Sequence, residues 1–283
     1  MPDPQRLINT VKRAAQLCRA TPGRRGMVVQ LDGAADDVLV AGDLHGNLAH
    51  FQVLLDRARL DRNPRRHLVL QEIVHGQSRY ASGGCKSHQL VDVVAALKCE
   101  YPDRAHWIAG NHELAELGAR TIIKAGERTN RLFREGVNAA YGTRADEVYG
   151  AYLELFRSCP LAVRTSNRVF ICHSLPEGPK LDAGFDAKIF EAQSLDDLSS
   201  QRGSPLHSLV WGRDDSEPTA RRFAALVDAD LLITGHIPCP DGFSTPNPMR
   251  LVLDSSRFPA CYCLFSNQQP CTLEKLLACV RSL

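Results

Sequence analysis

Asp43 and His45 in Gly42-Asp43-Leu44-His45-Gly46-Asn47 place a carboxylate and an imidazole two residues apart, directly after the apolar run Val38 to Ala41. Three later segments repeat the arrangement: Gly110-Asn111-His112-Glu113, Cys172-His173 and Gly235-His236. They follow the strand-like stretches His106 to Ala109, Val169 to Cys172 and Leu231 to Thr234. Carboxylate, amide and imidazole donors delivered from parallel strand ends are what an α/β scaffold uses to build a two-metal hydrolytic site.

Two divalent ions held a few ångströms apart need a bridging carboxylate, a mixture of Asn, Asp and His ligands, and open positions for a hydroxide and a phosphate. Asp43 and His45 are expected to hold the first ion, and Asn111, His173 and His236 the second. Such a pair polarises phosphoryl oxygens and lowers the pKa of a shared water toward about 7. In-line attack by that hydroxide expels an alkoxide. His112 is expected to protonate the leaving oxygen, with Glu113 or another acid orienting its ring. Gly235-His236 alone says little in a chain with ten histidines. The weight comes from four such segments, each behind an apolar strand, that together supply a chemically coherent ligand set.

The elements that must position these residues follow from periodicity. Leu7, Ile8, Val11, Ala14, Ala15 and Leu17 mark one face of a helix over about 4–18, closed by Thr21-Pro22-Gly23. Met27 to Leu31 and Val38 to Ala41 read as strands. Asn47 is a good N-cap for a helix reaching about Ala58. A strand at His67 to Leu70, a helix from about Ser87 to Cys99 and a strand at His106 to Ala109 continue a β-turn-α rhythm that favours parallel pairing with helices on the sheet faces. Residues of about 120–156 read as a helical insert over one sheet edge. Leu161 to Thr165 and Arg168 to Cys172 flank Ser166-Asn167 as a hairpin. Helices near Ala187 to Leu198 and Thr219 to Val227, strands at Leu231 to Thr234, Arg250 to Leu253 and Tyr262 to Phe265, and a tail helix from Thr272 to Val280 complete the reading. No repeat or linker divides the chain, so a single domain over 1–283 is expected.

Composition sets the outer bounds. A 283-residue chain that is 44% hydrophobic and 23% charged can bury a full core. A formal charge of +2 gives little pull toward nucleic acid, and Arg24/Arg25, Arg65/Arg66 and Arg221/Arg222 are scattered pairs that read as solvated surface. Ten cysteines are present, but Met1-Pro2-Asp3-Pro4 has no signal-peptide pattern, so reduced thiols and a cytoplasmic location are expected. Cys261 and Cys263 share a strand face and read as small core residues. No apolar run approaches the roughly 20 residues needed to span a bilayer.

Taken together, these motifs resemble those of the calcineurin-like metallophosphoesterases, and within them the phosphoprotein phosphatase family of serine/threonine phosphatases. The resemblance runs from about Val38 to Phe265. It includes Phe156-Arg157-Ser158-Cys159-Pro160-Leu161-Ala162 and Trp211-Gly212-Arg213-Asp214 besides the ligand segments. It implies an α/β fold, a four-layer metallophosphoesterase-type β-sandwich flanked by helices. It also implies two divalent metal ions, with Mn foremost and Fe or Zn as alternatives, and hydrolysis of phosphomonoesters by a metal-bridging hydroxide without a phosphoenzyme. Carried over by motif, Asp43, His45, Asn111, His173 and His236 become metal ligands and His112 the general acid.

One motif departs from the family. Its second block, Gly-Asp-x-x-Asp-Arg-Gly, is replaced by Gln71-Glu72-Ile73-Val74-His75-Gly76. Glu72 falls where the bridging Asp belongs, His75 replaces the second Asp, and the phosphate-gripping Arg is missing. Arg213 and Arg79 are the expected substitutes for that bidentate donor. His75 reads as an extra ligand, a phosphate donor or a solvent-facing loop residue. The expected substrate is a phosphorylated peptide or a small phosphoester, with no nucleic-acid or membrane partner. A diadenosine polyphosphate or other nucleotide hydrolase is the alternative enzyme, and a pseudophosphatase acting as a binding module is the alternative from another class.

Overall fold

Short apolar runs that bury both faces of a strand organise this chain into two stacked sheets. The computed structural model describes residues 3–118, 120–124 and 126–283. Of the ranges read from the sequence, Met1, Pro2, Ala119 and, within the helical insert, Ala125 lie outside the described residues.

Helix α1 (Pro4–Arg19) is followed by β1 (Arg24–Arg25), β2 (Val28–Gln30) and β3 (Asp37–Asp43). Next come α2 (Leu48–Ala58), β4 (Arg66–Gln71), α3 (His88–Glu100), β5 (Ala105–Ile108) and α4 (Asn111–Leu117). A small hairpin, β6 (Ile123–Lys124) and β7 (Glu127–Arg128), leads into α5 (Thr129–Tyr141) and α6 (Ala145–Ser158). After β8 (Ala162–Arg164) and β9 (Val169–Cys172) come α7 (Gly178–Asp182), α8 (Pro205–Trp211) and α9 (Glu217–Leu226). Strands β10 (Leu231–Thr234), β11 (Phe243–Asn247), β12 (Arg250–Leu253) and β13 (Cys261–Ser266), helix α10 (Leu273–Ala278) and strand β14 (Val280–Ser282) finish the chain.

One sheet runs β1-β2-β8-β9-β10-β12-β11 and the other β14-β13-β3-β4-β5. Within them β3, β4 and β5 are parallel, as are β9, β10 and β12. Alternation along each strand assigns its residues to layers. Val38, Val40, Val69, Val169, Ile171, Leu231 and Ile233 meet in the core between the sheets. Their neighbours Leu39, Ala41, Leu68, Leu70, Phe170, Cys172 and Leu232 pack on the helices outside. Parallel pairing points the C-terminal ends of β3, β4 and β5 the same way, and likewise those of β9 and β10. The five ligand-bearing turns therefore converge at one rim.

Several expected elements differ. The helix read at Ala187 to Leu198 is two single 3-10 turns, Ala187–Phe190 and Leu195–Asp197. Asp186 and Ser194 each accept a backbone N–H two residues on, and this local capping breaks the run. The helical insert begins with the β6–β7 hairpin, whose turn uses Gly126 at φ +80°. Pro205, behind the capping Ser204, starts α8 where no element was read. The tail helix stops at Ala278, and Val280 pairs instead with Cys263. All ten cysteines are free thiols, and no helix among the described residues is long and apolar enough to cross a membrane.

The layered core makes a quantitative contrast. Ile233, fully buried between the sheets, should cost about 2–5 kcal/mol of unfolding free energy when replaced by Ala. Ile123, 67% exposed on the hairpin, should cost no more than about 0.5 kcal/mol. Chemical denaturation of I233A and I123A would refute the assignment of layers if the two losses were equal.

Candidate metal centre

The rim where the strands end is assembled by backbone contacts before any side chain is considered. Leu44 and His45 both donate their N–H groups to the carbonyl of Glu72, at 3.0 and 2.9 Å, so the turn after β3 is tied to the turn after β4. Beside them, Gly235 N donates to the carbonyl of His173 at 3.1 Å and joins the turns after β10 and β9. His45, Glu72, His75 and His236 all have positive φ, at 43°, 39°, 61° and 66°. A left-handed backbone at a residue with a Cβ costs about 1–2 kcal/mol, and here it aims each side chain inward.

At the centre lies Glu72. Its Oε1 is 3.2 Å from His45 Nε2 and 3.6 Å from His112 Nε2. Its Oε2 is 3.0 Å from His173 Nε2 and accepts the His112 backbone N–H at 3.3 Å. His173 Nε2 also lies 2.8 Å from Asn111 Oδ1, and its Nδ1 is 3.7 Å from Asp43 Oδ1. Asp43 accepts the His236 backbone N–H on both oxygens at 3.1 Å. Asp43, His45, Glu72, Asn111, His173 and His236 are thus brought together. Among the described residues, Asp43 clusters with Glu72 and His173, and His45 with Glu72 and His112. The reason is that the Asp43 carboxylate turns toward the β9 and β10 ends, whereas His45 lies a left-handed residue further along its turn.

Two glycines explain why this fits. A Cβ on Gly235 would fall 2.3 Å from Asp43 Oδ1, and one on Gly110 would fall 2.6 Å from Glu72 Oε2. Each glycine preceding a ligand leaves the space that a carboxylate occupies. Gly235-His236, the least informative motif in the sequence, is therefore as constrained as the others.

The donor set suits divalent cations. His45 Nδ1 donates to the Val74 carbonyl at 3.1 Å, and the His236 ring makes a hydrogen bond to the Trp211 backbone. Each contact fixes a tautomer and turns the other ring nitrogen inward. Among the described residues, His236 Nε2, His173 Nδ1 and Gln71 Oε1 are buried without a hydrogen-bond partner. Burial and then the neighbouring Glu72 charge push Asp43 up to about 8. Burial likewise pushes Glu72 up, opposed by the backbone N–H groups of His112 and Asn111. Burial, then Lys124, depresses His45 to about 3. Adjacent buried carboxylates, neutral imidazoles and unpartnered nitrogens are the pattern that hard and borderline divalent ions fill.

Around this centre the other expected residues divide. Arg213 is exposed just beyond α8, and after burial its charge contributes to the shifts at Glu72, His173 and His236. Arg79 is engaged elsewhere, donating to the Gly76 carbonyl and lying 3.4 Å from Glu127. His75 is not solvent-facing. It is 3% exposed, with Nδ1 2.8 Å from His112 Nδ1 and Nε2 2.7 Å from Glu116 Oε1. Glu113, read as an acid for orienting His112, instead accepts the N–H groups of Ile73, Val74 and Gly110.

Two residues escaped the sequence reading. Lys124, on the hairpin, places Nζ 3.3 Å from His45 Nε2; nothing in its neighbourhood in the chain marks it. Glu116 could have been found, because it lies four residues beyond His112 on the same face of α4. A cavity of about 460 Å³ opens beside His45 and His75, bordered by Arg79, Lys86, Lys124 and Arg257.

A family profile described as calcineurin-like phosphoesterase matches residues 37–240. A probable serine/threonine-protein phosphatase of Encephalitozoon cuniculi is 26% identical over 230 residues, 74% of this chain and 44% of that protein. A serine/threonine-protein phosphatase of Caenorhabditis elegans is 24% identical over 255 residues, 82% of this chain and 49% of that protein. The chain spans about half the length of these curated relatives or less. The solved structure of a protein serine/threonine phosphatase from Saccharomyces cerevisiae shares the fold, with a TM-score of 0.68, 15% identity, and coverage of 93% of this chain and 82% of that one.

Ion binding at this rim has a readout independent of any reaction. With free Mn²⁺ or Zn²⁺ about a hundredfold above Kd, the native state gains about 2.7 kcal/mol, so Tm of the metal-stripped chain should rise by about 5–10 °C. Gly235→Ala should abolish most of that rise by displacing the Asp43 carboxylate, whereas Gly33→Ala, with nothing within 4 Å of its Cβ, should keep it. A Tm indifferent to divalent ions would rule out the metal centre.

Proposed function

The chain belongs to the calcineurin-like phosphoesterase family, and from that premise we propose that it is a divalent-metal-dependent phosphatase of serine/threonine protein phosphatase type. The observation that carries this reading is the placement of Glu72. Its two oxygens face separate imidazoles, His45 on one side and His173 on the other, as a carboxylate shared between two cations requires.

In this reading Asp43, His45, Glu72, Asn111, His173 and His236 hold two divalent ions, with manganese the first choice for reconstitution and iron or zinc the alternatives. When bound, the ions supply Lewis acidity toward the phosphoryl oxygens and make water nucleophilic at neutral pH. The remaining work belongs to the chain. Arg213 approaches the phosphoryl group from the α8 side and Lys124 from the hairpin. Together they replace the missing arginine, each as a charged donor to phosphoryl oxygens. Arg79, committed to Gly76 and Glu127, borders the entrance rather than gripping phosphate. His112 Nε2 faces the same space and delivers the proton to the departing alkoxide. The relatives' names support a phosphorylated serine or threonine side chain as the substrate.

Activity assays divide this proposal into separable parts. After removal of metals and addition of Mn, Fe, Zn, Ni or Mg, the chain should hydrolyse an aryl phosphate. Asp43→Asn and Glu72→Gln should each lose more than about a hundredfold in kcat/KM, beyond the 10–100-fold typical for partners of metal ligands. Absence of hydrolysis with every one of those ions would leave a binding module as the surviving reading, and hydrolysis by the metal-free chain would refute the metal dependence. Lys124→Met and Arg213→Ala should each raise the inhibition constant of free phosphate about 10- to 100-fold, since hydrogen bonds between charged groups contribute about 1.5–3 kcal/mol. An unchanged constant removes that residue from the phosphate grip. His112→Asn should slow an alkyl phosphate far more than an aryl one, because a phenolate leaves without protonation; equal losses would count against the proton-donor role.

A further inference from the structure

His112 is held from behind by a buried chain of polar groups whose hydrogen-bond directions follow from one fixed backbone donor. The direction starts at a backbone amide. Ile122 N donates to Asn130 Oδ1 at 2.8 Å, so the Asn130 amide nitrogen is the group that donates to Glu116 Oε1 at 2.7 Å. Tyr149 Oη donates to Glu116 Oε2, also at 2.7 Å. Glu116 therefore acts as an acceptor on both oxygens, and His75 Nε2, 2.7 Å from Oε1, carries the hydrogen between them. With that hydrogen on Nε2, His75 Nδ1 is the acceptor facing His112 Nδ1, 2.8 Å away, and His112 donates to it. Thr129 Oγ1 lies 3.2 Å from the same nitrogen, but its hydrogen is accommodated by the Ile122 carbonyl at 3.2 Å.

We infer that Glu116, acting through His75, is a positioning residue that locks hydrogen on His112 Nδ1 and so leaves Nε2 as the nitrogen that exchanges a proton with substrate. Both members are buried, with side-chain exposures of 0%; His75 borders the cavity, and Glu116 reaches His112 only through it. Replacement of a carboxylate by His75 in the second block is then compensated on α4, where Glu116 restores the acid one imidazole further away. Because Asn130 and Thr129 open α5 directly after the hairpin, the same network also anchors the segment that carries Lys124.

The kinetic half of this inference rests on the phosphatase reading; the tautomer half does not. In the 283-residue chain, metal-free and loaded with diamagnetic zinc, ring ¹⁵N spectra of histidine should show His112 with hydrogen on Nδ1 and His75 with hydrogen on Nε2. The reverse pair of tautomers would overturn the relay. The isosteric change Glu116→Gln should lower kcat on a phosphoserine peptide about ten- to a hundredfold, the range of an orienting partner, and kcat on an aryl phosphate less than about threefold. KM and bound metal should stay unchanged. Equal losses on both substrates, or loss of metal, would make Glu116 a merely structural residue. If the unsubstituted chain hydrolyses neither substrate, the phosphatase reading fails, and the tautomers alone decide the relay.

Discussion

Two carboxylates, Asp43 and Glu72, sit side by side and almost fully buried at the ends of adjacent parallel strands. Burial drives both toward the protonated form, and a protein tolerates such a pair only where something supplies positive charge or donors. Much of the surrounding structure follows from that constraint. Backbone N–H groups of His236 and His112 point at the two carboxylates, and glycines stand where a Cβ would displace their oxygens. The imidazoles are kept neutral by burial, which preserves lone pairs for cations.

The sandwich is what brings the carboxylates and imidazoles to one place. Asp43 and Glu72 end strands of one sheet, while His173 and His236 end strands of the other. The bridge between Asp43 and Asp254 and the hydrogen bond from Gly42 N to Ser255 Oγ at 2.9 Å hold the two sheet ends in register. A core of β-branched residues between the sheets, Val38, Val40, Val169, Ile171 and Ile233 among them, stiffens this arrangement. Ligands on loops alone would lack that precision.

The second block shows how a departure in one motif is absorbed by its surroundings. With His75 in place of an acid, the negative charge behind His112 comes from α4, and Glu116 is itself held by Asn130 and Tyr149 from the insert. The insert is therefore more than cover for the sheet edge. Its first turn and hairpin reach the centre, and α6 packs against α1 on the far side, so the N-terminal helix braces the segment that carries Tyr149.

The ligand-bearing strands, the N-terminal helix and the ligand turns were legible in the sequence because four-residue apolar runs followed by Gly, Asp, Asn or His are local signals. Burial of both strand faces and the turn chemistry leave them little freedom. The break of Ala187 to Leu198 into two short turns was less legible, because Asp186 and Ser194 compete locally with a continuous helix. Glu116 was present as an i, i+4 partner of His112 but was indistinguishable from a solvated helix face. Lys124 had no local mark at all. By itself, then, the sequence determined which residues could bind metal and on which strand ends they stand. Tertiary structure alone decided how Asp43 and His45 divide between the histidine groups, that His75 turns inward to Glu116, that Arg79 is engaged away from the centre, and that a hairpin lysine reaches it. Those outcomes depend on distances between segments far apart in the chain, and only packing of the two sheets and the insert sets them.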